Sequence, residues 1–410
     1  MSDPTDSTTT RATPRPGTSG WDGIVAFGGI DWWYHNRGHS ECQILTRLAG
    51  ERPVLWVNSI GMRAPSRGKT ELPLRRYWRK LKSTLKGLRR DPASGMWIYS
   101  PIFVPRYTHG WLRVNGWLLA LQIGVLRWLL GMRRPACWVT TPTAVAAVER
   151  LRWSQVVFNR SDEFSRFPEA DGPFIAALED RLLRISDDVL YTSHALMQRE
   201  AGRCRSAEYL GHGVDYARFS AARPLEGPAE LPPALRHLPR PIVGFYGALD
   251  DYTIDKELMI AVARHVAPGT LLVIGPRAMD TTAIEAEPNV HYLGQIPYEQ
   301  IPTHAAAFDV ALMPWLMNEW IESSNPIKLR EYLAIGFPIV TTWFPELKPY
   351  EHLVYAASSH EAFLRGVDAA LAERDPDRVR ARRASVEDST WDRIAQRVAQ
   401  ILSDGPPDRG

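Results

Sequence analysis

IESSNPIKLREYLAIGFPIVTTWFPEL, residues 321–347, sets a Lys and a Glu three apart ahead of a glycine and a β-branched run. Asn325 is a favourable N-cap and Pro326 a favourable first helical residue, so the spacing predicts a short helix from there to Gly336 and a strand at PIVTT. Lys328 then sits in the first turn, where the backbone is already electropositive and an uncompensated cation costs about a few tenths of a kcal/mol. A bound anion would compensate it, because free N–H groups, helix dipole and ammonium together form a phosphate site. Glu331, one turn along the same face, can accept two hydrogen bonds from a ribose diol, and phosphate beside ribose suggests a nucleotide. An exposed Lys–Glu pair at i and i+3, with no ligand, is the other reading of the same spacing.

On either side of this segment, short apolar runs alternate with helical patterns along the chain. GIVAFGG, PVLWVNS, MWIYSP, CWVTTP, VVFNRSDE and DVLYTS come before residue 220; PIVGFYGAL, TLLVIGP, NVHYLG, DVALMP and PIVTTW come after 240. Near-continuous apolar strands with helices between them predict parallel sheets covered on both faces, hence an α/β chain of two doubly wound, Rossmann-like domains. The Pro-dense stretch around 221–240 carries no strand signal and reads as the linker. The expected organisation is a disordered lead (1–20), a first domain (21–220), the linker, a second domain (241–388), a closing amphipathic helix capped by Ser389 (389–403), and a tail (404–410). Ligands of such sheets bind beyond the C-terminal strand ends, so two facing domains predict a cleft between them.

A chain of 410 residues with 45% hydrophobic and 23% charged residues is globular, and three scattered cysteines fit a reducing cytoplasm. Net charge is only +3, yet residues 62–90 hold eleven Lys or Arg against one Glu, an excess of +10 that leaves the remainder at −7. With aromatics interleaved, this stretch suits an anionic membrane surface; a solvated face and nucleic acid are the rival readings, and no nucleic-acid partner is expected. NGWLLALQIGVLRWLLGM, residues 115–132, is broken by glycines and contains Gln122 and Arg127, so it is expected as a buried helix on a sheet, with monotopic attachment second and a span third.

ESSNPIKLREYLAIGFPIVTT resembles the donor-site signature of GT-B glycosyltransferases, particularly glycosyltransferase family 4 and related cell-envelope enzymes, with their E…PxKxxEYxAxGxPVV pattern. GFYGALDD is similar to the first strand and loop of their donor domain, NVHYLGQIPYEQIPTHAAAFDVALMPW to their base-binding segment, and NRGHSECQILTRLA to the opening of their first long helix. The resemblance spans roughly residues 22 to 402. It implies a GT-B fold, a nucleotide-sugar donor (UDP- or GDP-linked), and transfer to a saccharide or lipid-linked acceptor in cell-envelope or exopolysaccharide synthesis. It implies that Glu331 binds the ribose and Lys328 the diphosphate, that Glu322, Ser323 and Ser324 line the sugar, and that Gly247, Gly294, Asn325 and Pro326 complete the donor site. Eight residues separate Glu322 from Glu331 where many members have seven, which puts Ser323 at the place of their first Glu. Their Arg and Lys after the first donor-domain strand are replaced here by Ala248 and DDYTIDKE, leaving Lys328, backbone N–H groups and Lys256 or Arg37 to neutralise the diphosphate.

A cation and a helix N-terminus aimed at the leaving phosphate would stabilise the charge that builds as the sugar departs. No carboxylate cluster with metal-ligand spacing stands out, which predicts metal-independent transfer without a cofactor. Asp162, with Glu163 in the loop after VVFN, is the candidate base, the alternative being a helix cap. Gly28 and Gly29 allow close backbone approach to a ligand or form a plain tight turn, and the resemblance makes Arg37 and His39, with these glycines, candidates for acceptor or phosphate contact. A GT-B nucleotide-sugar epimerase and a non-catalytic GT-B partner subunit are the competing functions. A nicotinamide dehydrogenase is disfavoured because no GxGxxG follows a strand. The expected location is cytoplasmic, peripheral on the inner face of the plasma membrane.

Overall fold

The computed structural model describes residues 20–62, 73–167, 170–225 and 229–406. Residues 1–19 of the expected lead, 63–72 of the basic stretch and 407–410 of the expected tail lie outside the described residues.

The first sheet comprises β1 (Ile24–Phe27), β2 (Val54–Val57), β3 (Leu88–Arg90), β4 (Trp97–Tyr99), β5 (Ala136–Val139), β6 (Val156–Arg160), β7 (Asp188–Tyr191) and β8 (Ala207–Tyr209). Their order is β3-β4-β2-β1-β5-β6-β7-β8, parallel throughout except for the antiparallel β3–β4 pair. Ile24 is opposite both Val54 and Ala136, so β1 sits centrally with a neighbour on each side. All four β1 residues are buried, and they alternate between two apolar layers. Val25 and Phe27 pack with Val139 and Phe158, whereas Ile24 and Ala26 pack with Leu45, Trp138 and Trp391.

The second sheet comprises β9 (Ile242–Tyr246), β10 (Thr270–Ile274), β11 (Val290–Gly294), β12 (Val310–Met313), β13 (Ile339–Thr342) and β14 (Tyr355–Ala357), in the order β11-β10-β9-β12-β13-β14 and wholly parallel. The closing helix, Trp391–Asp404, returns to the first lobe and packs Trp391, Val398 and Ile401 against the helix Ser40–Leu48. Its cap is Thr390, whose hydroxyl accepts from Arg393 N, and not the expected Ser389.

The helix His109–Leu129 departs from the buried helix expected of it. One face packs through Leu112, Gly116, Leu119 and Ile123, while Trp117, Leu121 and Trp128 on the other are 67%, 69% and 76% exposed. Gly116 decides which face turns inward, because a Cβ there would lie 2.7 Å from that of Ala146.

Arg160, at the end of β6, is fully buried. It pairs with Glu179 and, at 3.0 Å, with Glu200, and it donates to the carbonyl of Asp162 at 2.6 Å. Removing the guanidinium would strand two buried carboxylates at a cost of about 3–5 kcal/mol. The ion cluster thereby fixes the loop on which Asp162 is carried.

Candidate active site

The helix predicted from Asn325 runs from Ile327 to Ile335, one residue later than expected, with Pro326 at the N-cap position in extended conformation. It ends at Gly336, whose φ of 90° is left-handed and favours glycine. Asn325 does not cap it; its amide donates to the Thr192 carbonyl of the first lobe at 2.7 Å and its oxygen accepts from Arg330 at 2.8 Å. The asparagine thus ties the helix to the opposite lobe.

Lys328 lies in the first turn, as predicted. Its Nζ is 4.5 Å above the Phe245 ring and 5.8 Å from that of Trp315, and it has no hydrogen-bond or ion-pair partner among the described residues. Burial depresses its pKa to about 8, against the pull of Asp250 and Glu331. Gly247 leaves β9 with a φ of 147°, and a Cβ there would stand 2.3 Å from Nζ, so glycine is required for the ammonium to reach its place. An unpaired, partly desolvated cation at a helix start is a ready anion site.

Glu331 is one turn further along and 3% exposed. Tyr246 OH donates to Oε2 at 2.8 Å and Tyr298 OH to Oε1 at 2.7 Å, leaving each oxygen with spare acceptor capacity. Burial pushes its carboxyl above the ordinary range, while the two hydroxyls and Lys328 pull it down. The two tyrosines orient the carboxylate, a role that sequence reasoning missed although Tyr298 lies in the quoted base-binding segment. Asp250 was also missed: it is buried, accepts from Thr253 N (2.8 Å) and Oγ1 (2.7 Å), and acts electrostatically on Lys328.

The other expected donor residues surround this pair to different degrees. Gly294 ends β11 with a φ of 73°, and its carbonyl accepts from Gly275 N. Glu322 ends the one-turn helix Glu319–Glu322 and is exposed. Ser323 and Ser324 are buried and return their hydroxyls to the carbonyl of Trp320, at 3.3 and 2.8 Å, so the donor loop is braced by its own serines. Trp320 is wedged between Phe167 of the first lobe and Tyr252, with a buried indole N–H that has no hydrogen-bond partner among the described residues. Lys256 opens the helix Lys256–Val266, where its charge acts on Asp280.

Across from the donor loop, Asp162 and Glu163 follow β6. Glu163 pairs with Arg199 at 2.7 Å and Arg166 at 3.2 Å, and accepts from Ser323 at 3.5 Å, linking the lobes at the donor loop. Asp162 keeps some exposure, and burial pushes its carboxyl up to about 7, with Arg160 and a Ser161 hydrogen bond opposing the rise. Glu41, not foreseen, is buried within electrostatic reach of Asp162 and is likewise pushed up to about 7 by burial. Its carboxylate accepts from Gly29 N at 3.0 and 3.2 Å, which explains why the Gly28–Gly29 turn can remain tight. Gly28 is required because a Cβ would enter the Trp56 ring, 2.2 Å from its nearest atom.

His39 occupies the N-cap position of Ser40–Leu48 without a side-chain cap, and its neighbour Gly38 meets the Tyr298 ring of the second lobe. Arg37 is directed elsewhere, lying 4.6 Å over Trp32 and pairing with Asp91 at 3.3 Å. Among the described residues no three His, Cys, Asp or Glu side chains gather as a metal-binding group. The one Asp-x-Asp, Asp375-Pro376-Asp377, is used structurally: Asp375 caps the helix Pro376–Ala384 and Asp377 pairs with Arg380.

Residues 240–373 match the family of group 1 glycosyl transferases. A curated relative from Bacillus subtilis (strain 168), the putative teichuronic acid biosynthesis glycosyltransferase TuaH, is 25% identical over 238 residues, covering 53% of this chain and 58% of the relative. The alignment therefore spans little more than half the length of either. Among solved structures, sucrose-phosphate synthase from Thermosynechococcus elongatus superposes with a TM-score of 0.65 at 14% identity, over 93% of this chain and 98% of that one. Anabaena Alr3699/HepE, in complex with UDP and glucose, gives 0.63 at 14%, over 94% and 100%. A trehalose-6-phosphate structure from E. coli bound with UDP-2-fluoro glucose gives 0.63 at 13%, over 93% and 98%. These likenesses show the fold, two parallel-sheet lobes of the GT-B class.

Proposed function

We propose that this chain, a GT-B protein carrying a group 1 glycosyl transferase domain, transfers a hexose from a nucleotide-sugar donor, UDP- or GDP-linked, to a saccharide or lipid-linked acceptor of the cell envelope. The observation that carries this reading is the unpaired ammonium of Lys328 at a helix start, with the oriented carboxylate of Glu331 one turn beyond. The names of TuaH and of the UDP-bound neighbours support the donor class and the envelope setting.

In this reading the diphosphate lies against Lys328 and the Ile327–Ile335 helix start, with Gly247 allowing close approach. Glu331 accepts from the ribose hydroxyls, and the sugar lies under the Glu322–Ser324 loop beside Trp320. As the glycosidic bond breaks, the electron pair passes to the diphosphate oxygen and Lys328 stabilises the growing charge, so no metal is needed for that task. Asp162 takes the proton of the acceptor hydroxyl as it attacks the anomeric carbon. The protein works at the cytoplasmic face of a membrane, to which the positive charge of the basic stretch 62–90 draws it.

A thermal-shift screen against UDP- and GDP-sugars tests the donor class. A true donor at a hundred-fold excess over its Kd should add about 2.7 kcal/mol of stability and raise the melting temperature, and at the same concentration Lys328→Ala should cut that gain to about 1.4 kcal/mol or less. If no nucleotide sugar shifts the wild-type transition, the donor reading is wrong.

A further inference from the structure

A helix that is apolar on all sides normally lies inside a protein, because water penalises any face left bare. The helix His109–Leu129 is apolar on both its inner and its outer face, and the outer face is bare. Val114, Trp117, Leu118, Leu121, Val125 and Trp128 recur three or four apart along its outer side, and each is at least 37% exposed. Its central polar side chain is tied inward: Gln122 exchanges hydrogen bonds of 2.9 Å with both backbone groups of Ile102 and accepts from Tyr99 OH at 2.6 Å. Ile102, so held, is itself 65% exposed and extends the patch. A groove of about 320 Å³ opens at Gly124 between Leu121, Val125 and Trp128.

The charge around the patch is mainly positive, the acids at its rim being Glu149, paired with Arg181 at 2.5 Å, and Asp22, which accepts from Arg133 N and Arg134 N. From residue 92 to residue 148 the chain contains five arginines (Arg106, Arg113, Arg127, Arg133, Arg134) and no lysine, aspartate or glutamate. Arg113, Arg133 and Arg134 are exposed beside or just beyond the helix, and Arg150 lies 5.2 Å over the Trp117 ring. The neighbouring helix Pro73–Leu85, connected through Lys80 over Phe103, adds exposed Trp78, Leu81 and Leu85. Among the described residues no helix is long and apolar enough to cross a membrane.

We infer that the outer face of His109–Leu129 docks into the headgroup–acyl boundary of an anionic lipid monolayer, lying in its plane. Tryptophans at that depth, an apolar stripe between them and arginines at the rim are what such a boundary accommodates. A second copy of this chain fits less well, since a twofold contact through the patch would set each copy's arginines against the other's, while the rim acid Glu149 is already engaged by Arg181. This names the surface that makes the membrane contact of the proposed function and does not depend on the transfer reaction.

Co-sedimentation of the full chain with vesicles, without any donor, tests the inference. Binding should be strong to phosphatidylcholine vesicles containing about 30% phosphatidylglycerol and should weaken as salt rises from about 0.1 M to about 0.5 M. The triple variant Trp117→Asn, Leu121→Asn, Trp128→Asn removes only exposed side chains, so its melting temperature should hold while its vesicle partition falls by about ten-fold or more. Absent binding by the wild type, or equal binding by the variant, would overturn the inference. So would a wild-type dimer in light scattering that the variant converts to monomer while neither binds vesicles, for the patch would then belong to a second copy.

Discussion

Replacing Lys328 by alanine is expected to lower kcat by about a hundred- to a thousand-fold, the loss that follows removal of one pre-placed donor from a developing oxyanion. Three features make the effect large. The ammonium has no hydrogen-bond or ion-pair partner among the described residues, so its N–H donors remain open although it stands over the Phe245 ring. It stands at the start of a nine-residue helix, where dipole and free N–H groups act in the same direction. It is also partly desolvated, as its depressed pKa of about 8 records, and a charge in such surroundings acts on an anion more strongly than one in water. Folding should not suffer, because the substitution removes a partly buried cation that has no hydrogen-bond or ion-pair partner among the described residues. A variant with normal turnover would show that Lys328 is merely tolerated in that turn.

The second large effect is expected at Asp162. Asp162→Asn should cut transfer by about a hundred- to ten-thousand-fold while leaving calorimetric donor affinity within a few-fold of wild type, as loss of a general base does. Lost donor affinity would mark Asp162 as a structural group that shapes the cleft. The pH dependence has a defined sign. Below about 7 the Asp162 carboxyl is protonated and cannot accept the acceptor's proton; above about 8 Lys328 is neutral and cannot hold the diphosphate. The profile of kcat/KM should therefore be a narrow bell with limbs near those values. Glu41 titrates near 7 within electrostatic reach of Asp162, so the acid limb belongs to the pair and should keep a residual step in Asp162→Asn. In kcat the basic limb should move upward, because a bound diphosphate favours the charged form of Lys328.

The positions of Lys328 and Gly336 were legible because capping and helix-ending residues act locally. Asn325 shows where that logic stops: its side chain was free to cap the helix, yet Thr192 and Arg330 engage it across the lobes, and no local rule contains the opposite lobe. The five-residue strands β9 and β10 are wholly buried and announce themselves as apolar runs. β3, β8 and β14 passed unnoticed because each has three residues and lies at a sheet edge, where LRR, AEY and YAA carry no hydrophobic signal. For the helix His109–Leu129, composition signalled burial, but Gly116 packing on Ala146 leaves the tryptophan-bearing face outside.

Within the site, the residues missed are those that act through others. Tyr246 and Tyr298 reach Glu331 from positions 85 and 33 residues away, and Glu41 reaches Gly29 from twelve. Such contacts arise from sheet order, which places the ends of β1 and β6, and separately those of β9 and β11, near one another in space. A hydroxyl or carboxyl in an otherwise apolar or helical stretch was the only signal available, and it does not name its partner. Arg37 illustrates the converse: it sits beside a glycine turn in the sequence, yet Trp32 and Asp91 draw its guanidinium toward the β3–β4 edge.

Calorimetric titration of UDP and of uridine, with GDP and guanosine as the second pair, into wild type and Lys328→Ala bears most directly on the grip of one ammonium upon a diphosphate. In the wild type the diphosphate should improve affinity over its nucleoside by about 30-fold or more, and in the variant that advantage should shrink by at least about ten-fold while nucleoside affinity stays the same, since one charged hydrogen bond is worth about 1.5–3 kcal/mol. A variant that keeps the full diphosphate advantage would place the phosphates away from Lys328 and contradict the site described here.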